Sequence, residues 1–171
     1  MPSTLPQTIT LLGMPGAGKS TVGQMLAESL QLPFVDGDSL IEKQTGKSLQ
    51  QLIDEEGMDT FLAAEETMLT GLKGPGVLAP GGSAVLSENG LRHLRSLGPL
   101  VYLYIPVETM LARINNESSR GLARGENQGL ETLYDFREPQ YHKVADITVN
   151  ADVSDPRETV RAIIEALQGI T

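Results

Sequence analysis

Residues 8–20 read Thr-Ile-Thr-Leu-Leu-Gly-Met-Pro-Gly-Ala-Gly-Lys-Ser, and they carry the strongest structural signal in the chain. The first part, Thr8–Leu12, is a short run of apolar and β-branched residues that predicts a buried strand. The second part, Gly13–Ser20, matches the full pattern Gly-x-x-x-x-Gly-Lys-Ser/Thr. Apolar residues then recur at helical spacing from Lys19 to Leu30. The pattern therefore lies between a strand and a helix, as a phosphate-binding loop requires.

Each residue type in this loop has a chemical reason to be there. Glycines let the backbone wrap closely enough for its N–H groups to point at phosphate oxygens, and the helix N-terminus adds a positive dipole. We expect Lys19 to bridge the β- and γ-phosphates and the Ser20 hydroxyl to ligate magnesium. The nucleotide-binding residues predicted from the loop are Gly13, Gly16, Ala17, Gly18, Lys19, Ser20 and Thr21. No Asn-Lys-x-Asp guanine reader occurs in the chain, which favours an ATPase or a kinase that uses ATP and Mg²⁺.

The rest of the chain continues the alternation of strands and helices. Further strands are predicted at residues 34–35, 77–79, 100–105 and 146–149. Helices are predicted at about 38–73, with breaks at Gly46 and Gly57, and at 107–115, 129–143 and 156–167. We therefore expect a three-layer α/β P-loop NTPase fold, with a central parallel sheet of about five strands flanked by helices. No repeat or linker interrupts the pattern, and so residues 1–171 are predicted to form a single domain.

Composition narrows the possible partners. The net charge of −9 argues against a protein that binds nucleic acid or an anionic membrane surface. The absence of cysteine excludes disulfides and thiolate chemistry. No run approaches the ~20 apolar residues that span a bilayer, and residues 1–7 lack the features of a signal peptide. We expect a cytoplasmic protein that acts as a monomer without nucleic-acid or membrane partners.

Two carboxylates follow the second predicted strand. Asp36 and Asp38 lie at its carboxyl end, where sheets of this kind bind their ligands. They are two residues apart, so on an extended segment their side chains point in the same direction. One could belong to the magnesium shell while the other binds or deprotonates an acceptor hydroxyl. The alternative is that Asp-Gly-Asp-Ser forms only a turn and a helix cap, and the two interpretations are compatible.

A further set of motifs, in this order and spacing, resembles the shikimate kinase family, which has the nucleoside-monophosphate-kinase version of the fold. The resemblance covers nearly the whole chain. Besides the phosphate loop, it is carried by Phe34-x-Asp36-x-Asp38, residues 41–46 (Ile-Glu-Lys-Gln-Thr-Gly), Gly57, Phe61, Glu65-Glu66, Gly81-Gly82, Val101-Tyr102-Leu103, Arg113, Arg120, Arg137-x-Pro139-x-Tyr141 and Pro156.

The resemblance implies transfer of the ATP γ-phosphoryl group to a hydroxyl of shikimate. It places Asp36 in the magnesium shell and makes Asp38 the group that binds the acceptor hydroxyls and acts as base. It assigns acceptor contacts to the backbone of Gly81–Gly82, and pairs Arg137 with the acceptor's carboxylate. The acid that matches Glu65 orients an acceptor-site arginine in the family.

The resemblance also assigns the closing parts of the site. Arg120 would approach with a lid at about residues 116–128 and stabilise the transferring phosphoryl group, while Arg113 would stack on adenine near Pro156. The helices at about 37–73 would form the acceptor-binding part. A polar, glycine-bearing lid of this length suits closure and exclusion of water.

Three departures from the family pattern concern the acceptor and the lid. Leu62 stands where the family has an arginine of the carboxylate clamp, and Ser83 stands where it has a third glycine. The lid reads Arg120-Gly121-Leu122-Ala123 in place of Arg-Pro-Leu-Leu, and Arg124 is a candidate to replace the missing arginine. Two alternatives to shikimate therefore stay open: a kinase for another small polyol or hydroxy acid, and an ATP-binding accessory protein with little phosphotransfer.

Overall fold

The computed structural model describes residues 7–117 and 124–169. Its centre is a parallel five-stranded sheet with the strand order β2-β3-β1-β4-β5, which confirms the predicted fold class. The strands are β1 (Thr8–Leu12), β2 (Phe34–Asp36), β3 (Gly76–Ala79), β4 (Leu100–Tyr104) and β5 (Ile147–Asn150). The three middle strands are buried almost throughout, because helices cover both faces of a parallel sheet.

Helices connect successive strands. They are α1 (Lys19–Leu30), α2 (Gly37–Thr45), α3 (Leu49–Glu56), α4 (Met58–Gly71), α5 (Glu88–Leu97), α6 (Val107–Glu117), α7 (Arg124–Val144) and α8 (Pro156–Gly169). Helix α1 packs on β3 and α8, α4 packs on α5, and α7 lies against β4. Within the described part of the chain, no helix is long and apolar enough to cross a membrane.

The predicted helix boundaries hold best where a capping residue marks them. The breaks expected at Gly46 and Gly57 are confirmed, since these glycines cap the ends of α2 and α3. Ser48 begins α3 with a capping box, in which its hydroxyl accepts from the backbone N–H of Gln51 while the Gln51 side chain returns to the Ser48 N–H.

Two helical features differ from the prediction. Helix α5 was not predicted, although it has a capping residue in Ser87 and buries Leu91 and Leu94 on one face. Helix α7 begins at Arg124 and not at residue 129, so the predicted lid segment 116–128 is helical at both ends. Residues 118–123 lie outside the described part of the chain.

The parallel sheet places the carboxyl ends of its strands, and the loops that follow them, at one edge. The phosphate loop follows β1, Asp36 ends β2, Gly81–Gly82 follow β3, and Ala151 follows β5. Segments that are far apart in sequence therefore meet along the carboxyl ends of the strands, where open α/β sheets bind ligands.

Candidate active site

The phosphate-binding loop connects β1 to the N-terminus of α1, as predicted. Gly16 and Gly18 have φ values of 83° and 89°, in the left-handed region that side-chain-bearing residues rarely adopt. The Lys19 ammonium donates hydrogen bonds to the carbonyl oxygens of Gly13 and Met14, at 2.7 and 3.2 Å. The loop backbone thus holds the lysine head against the site.

A central cleft of about 340 Å³ extends from this loop to the ends of β2 and β3. It is lined by Pro15, Gly16, Gly18, Lys19, Ser20, Thr21, Asp36, Asp38, Ala79, Pro80, Gly81 and Gly82. The cleft brings together residues predicted from three separate strand ends, because β1, β2 and β3 are neighbours in the sheet.

Asp36 has a contact on each carboxylate oxygen. Oδ1 accepts a hydrogen bond from the backbone N–H of Ser39 at 3.1 Å and caps α2, so the predicted capping contact is present. Oδ2 accepts from the Ser20 hydroxyl at 3.5 Å. A hydroxyl and a carboxylate oxygen are hard ligands of the kind that magnesium takes together with phosphates and waters, so this donor pair fits the metal.

Asp38 and Lys19 influence each other across the cleft. Burial raises the pKa of Asp38 and the neighbouring Asp36 raises it further, while Lys19 opposes the shift. Burial lowers the pKa of Lys19 to about 8, against the effect of Asp38. A carboxylate with a raised pKa is a stronger base, which suits an acceptor of a hydroxyl proton.

An outer pocket of about 350 Å³ adjoins the central cleft through shared loop residues. Arg113 spans it, because its guanidinium donates to the carbonyl oxygens of Gly16 (3.1 Å), Ala151 (2.9 Å) and Val153 (3.2 Å). Pro156 also lines this pocket. The two residues predicted to contact adenine therefore lie together beside the phosphate loop.

The Gly81–Gly82 pair lies at the other end of the central cleft, closely covered by charged side chains. A Cβ at Gly81 would lie 2.7 Å from Asp38 Oδ1 and 3.4 Å from Glu65 Oε2. A Cβ at Gly82 would lie 2.6 Å from Arg137 Nη1. Larger residues cannot fit here unless these groups move, and so the acceptor-side residues predicted from α2, α4 and α7 converge on one glycine pair.

Tyr141 holds this pair in place, although the sequence analysis assigned it no role. Its hydroxyl donates to the Gly82 carbonyl oxygen at 2.8 Å, and burial raises the pKa of Tyr141 to about 12, so it remains a neutral donor. Its ring stacks on Tyr102 of β4 with centroids 5.1 Å apart. Tyr141 follows Arg137 by four residues on α7, and this i, i+4 spacing is the signal that could have revealed the contact.

Glu65 is buried, with 1% of its surface exposed, and its two oxygens differ. The Ser83 hydroxyl donates to Oε1 at 2.7 Å. Oε2 is buried and forms no hydrogen bond with any described residue, and the same holds for Arg137 Nε. Burial raises the pKa of Glu65 to about 7, and the hydrogen bond from Ser83 opposes that rise.

A small hollow lies beside Glu65, with Leu62 and Leu86 on its apolar side. Glu66 and Ser87 line it too, and they form a second Ser–Glu hydrogen bond of 2.8 Å. The two departures expected to matter for the acceptor, Leu62 and Ser83, thus flank the same buried carboxylate.

Two arginines predicted for the closed site are not placed. Arg120 lies outside the described residues. Arg124 is the first residue of α7, and its side chain is also outside the described part, so its replacement of the missing arginine stays a prediction.

Fold and site together define a class: an α/β protein with a phosphate-binding loop and an adjoining acceptor cleft. The shikimate kinase family model matches residues 15–168. A shikimate kinase from Halorhodospira halophila is 40% identical over 168 residues, which cover 96% of this chain and 95% of the relative. One from Pseudomonas paraeruginosa is 38% identical over 164 residues, covering 94% and 95%.

A solved structure supports the same relationship. The shikimate kinase from Acinetobacter baumannii in complex with shikimate superposes with a TM-score of 0.88 at 33% identity, covering 98% of this chain and 96% of that one. The chain belongs to the shikimate kinase family. It is a kinase that uses ATP as its phosphoryl donor.

Proposed function

We propose that this chain transfers the γ-phosphoryl group of ATP to a hydroxyl of shikimate. The observation that carries the proposal is the convergence of Lys19, Asp38 and Arg137 on the central cleft and its Gly81–Gly82 end. A relative solved with shikimate, at 33% identity, supports the choice of acceptor. One kinase domain spanning residues 1–171 is part of the proposal.

In the proposed reaction, an oxygen of the acceptor forms a new bond to the γ-phosphorus. The bond from that phosphorus to the bridging oxygen breaks and leaves ADP, while the hydroxyl proton passes to Asp38. Lys19 binds the β- and γ-phosphates and stabilises the charge that develops on them. Asp38 orients the hydroxyl, and its raised pKa favours acceptance of the proton.

The nucleotide is held by the loop from Gly13 to Thr21, with Arg113 and Pro156 at the adenine. Ser20 and Asp36 would hold magnesium, which offsets phosphate charge when it is bound. Among the described residues, no group of three or more His, Cys, Asp or Glu side chains could hold a metal ion. Arg120 would add a cation over the transferring group.

On the acceptor side, we assign backbone contacts to Gly81–Gly82 and the acceptor's carboxylate to Arg137. The Arg137 guanidinium lies beside Gly82 at this end of the cleft, where a Cβ on Gly82 would stand 2.6 Å from Nη1. A different small polyol or hydroxy acid is a second candidate, favoured by the apolar Leu62 beside Glu65. Monomeric state and cytoplasmic location stay predictions.

The test is steady-state ADP release with Mg²⁺–ATP and a panel of hydroxylated acceptors, with shikimate first. Formation of a phosphate monoester, followed by phosphorus NMR, is the expected result for shikimate. Turnover with another polyol alone would favour the second candidate. ADP release that no acceptor raises above the acceptor-free rate would contradict the kinase function and favour the accessory protein.

A further inference from the structure

Glu138 connects α7 to the central sheet through its carboxylate. Oε2 accepts a hydrogen bond from the Tyr102 hydroxyl of β4, and Oε1 lies 2.7 Å from Nε2 of His142, one turn later on α7. The Glu138 side chain is 20% exposed, and Tyr102 is wholly buried. A hydrogen bond to a carboxylate that is shielded from water is stronger than one between neutral groups, so this contact holds Glu138 against the sheet.

Tyr102 contacts two further residues of the same stretch of α7. Its ring stacks on the Tyr141 ring with centroids 5.1 Å apart, and it meets the His142 ring edge-on at 5.0 Å. Burial raises the pKa of Tyr102, and the hydrogen bond to Glu138 raises it further, so the phenol remains a neutral donor. Because one side chain of β4 contacts three residues within five positions of α7, it fixes the rotation of this stretch about the helix axis.

Arg137 lies in the stretch that these contacts fix, directly before Glu138. A Cβ on Gly82 would stand 2.6 Å from Arg137 Nη1, and the Tyr141 hydroxyl donates to the Gly82 carbonyl oxygen at 2.8 Å. The same turn contains Pro139, which has no N–H to donate to the carbonyl four residues earlier. A helical turn that lacks one backbone hydrogen bond depends more on side-chain contacts for its orientation.

We infer that Glu138 is a positioning residue for the reaction: held by the Tyr102 hydroxyl, it sets the orientation of α7 that presents Arg137 to the acceptor's carboxylate. Tyr102 and Glu138 act through Arg137 and not by contact with the acceptor. The inference rests on the proposed function, which gives Arg137 its partner. It adds a determinant of acceptor binding that lies behind the site, between α7 and β4.

Tyr102→Phe tests this inference, because it removes the hydroxyl and keeps the ring that stacks on Tyr141. The substitution should lower kcat/KM for shikimate roughly 2- to 12-fold, the effect of one ordinary hydrogen bond. The loss should appear as a higher KM for shikimate, with kcat and the KM for ATP nearly unchanged, since Arg137 binds a part of the acceptor that does not react. The fold should survive, because Glu138 is partly exposed and water can replace the lost donor; thermal melting checks this.

The decisive measurement repeats Tyr102→Phe in an Arg137→Ala background. Arg137→Ala alone should lower kcat/KM for shikimate roughly 10- to 150-fold, the value of a hydrogen bond to a charged group. Tyr102→Phe should then add almost nothing, because its effect passes through the guanidinium that is already absent. A residue with a merely structural role would cost the same factor in both backgrounds.

Two substitutions of Glu138 separate its hydrogen bond from its charge. The amide oxygen of Glu138→Gln can still accept from Tyr102, so this variant should retain most of the kcat/KM that Glu138→Ala loses. Asp135→Asn is the matched control, since it removes an exposed carboxylate from the same helix and should leave kcat/KM unchanged.

The outcomes separate this inference from the proposed function. An unchanged kcat/KM in Tyr102→Phe, or an equal loss in both backgrounds, would overturn the positioning role while the kinase stands. If another acceptor with a carboxylate replaces shikimate, the same cycle is measured with that acceptor, and turnover confined to acceptors without a carboxylate overturns the inference. Without turnover, calorimetry decides. Shikimate binding that Tyr102→Phe weakens only when Arg137 is present supports the inference although the kinase function fails, and unchanged binding, or no wild-type binding, overturns it.

Discussion

The nucleotide side and the acceptor side of the cleft are built in different ways. The predicted nucleotide side is mostly one continuous segment, Gly13–Thr21, whose backbone we propose as the source of the binding groups. Arg113 is held beside it by hydrogen bonds to three carbonyl oxygens. The acceptor side is assembled from side chains on α2, α4 and α7 around Gly81–Gly82. A site built from backbone groups keeps its binding groups when side chains change, whereas a single substitution can remove a binding group from a site built from side chains. Two of the three predicted departures from the family pattern, Leu62 and Ser83, line the hollow beside Glu65.

The largest expected effect is that of Asp38→Asn, a substitution that should impair the acceptor side and spare the nucleotide side. Asp38→Asn should lower kcat about 10²- to 10⁴-fold, the usual contribution of a general base, and leave nucleotide affinity nearly unchanged. Turnover and calorimetric titration with a non-hydrolysable ATP analogue measure the two quantities. A large loss of nucleotide affinity with normal turnover would instead assign Asp38 to the magnesium ion.

Lys19→Ala should abolish most of the activity from the nucleotide side. Removal of one cation that stabilises the transition state costs about 10²–10³ in rate. The fold should survive, because Lys19 contacts loop carbonyls and not the core, and thermal melting checks this. Lys43→Ala, an exposed lysine on α2, is the control that should retain full activity. More than about a third of the wild-type rate in Lys19→Ala would contradict the assignment.

Leu62→Arg should increase kcat/KM for shikimate through the acceptor side. In the wild type we expect a shikimate carboxylate to pair with Arg137 but to lack the arginine that Leu62 replaces, so turnover of shikimate should be weak. The substitution should raise kcat/KM for it roughly 10- to 150-fold, the value of one charge-assisted hydrogen bond. Leu62→Met, which adds no charge, should give no gain.

Stability of the Leu62→Arg variant must be checked by thermal melting, because an arginine that stays buried without a partner would destabilise the fold. A wild-type KM for shikimate within the usual range of about 1 μM to 1 mM, with no gain in Leu62→Arg, would make Leu62 a neutral departure.

The smallest expected effect is a pH dependence of stability that originates in Glu65. Its pKa is about 7 in the folded protein against an ordinary value of 4.5, so between these values the folded state keeps a proton that the unfolded state has released. The free energy of unfolding should therefore fall as pH rises through this window, by up to about 3 kcal/mol. The glutamine of Glu65→Gln does not titrate and stays neutral at pH 8, where the buried Glu65 carboxyl is charged. The variant should therefore melt several degrees above wild type at pH 8, and this difference should be lost near pH 4.5. An equal difference at both pH values would show that Glu65 does not titrate there.

Local sequence patterns were enough for the fold class and the nucleotide loop. Thr8–Ser20 holds the strand, the turn glycines and the lysine in one continuous segment, so its geometry follows from nearest neighbours in the chain. Gly46 and Gly57, which cap the ends of α2 and α3, placed those helix ends for the same reason. Helix α5 was not predicted, although its cap and its apolar face are local signals. The start of α7 at Arg124 was not predicted either, because the polar, glycine-bearing composition of that segment favoured a loop.

The acceptor side depended on the tertiary structure. The resemblance to the shikimate kinase family identified Glu65, Ser83 and Leu62 as positions of interest. The contact between Glu65 and Ser83 joins residues 18 positions apart and could not be predicted from periodicity. The order of the strands brings β2 and β3 side by side and so places Asp38 opposite Gly81. Packing also determines the surroundings of the two Glu65 oxygens: Oε1 accepts a hydrogen bond from Ser83, while Oε2 is buried without one from a described residue. Desolvation depends on everything packed around a group and not on its neighbours in sequence.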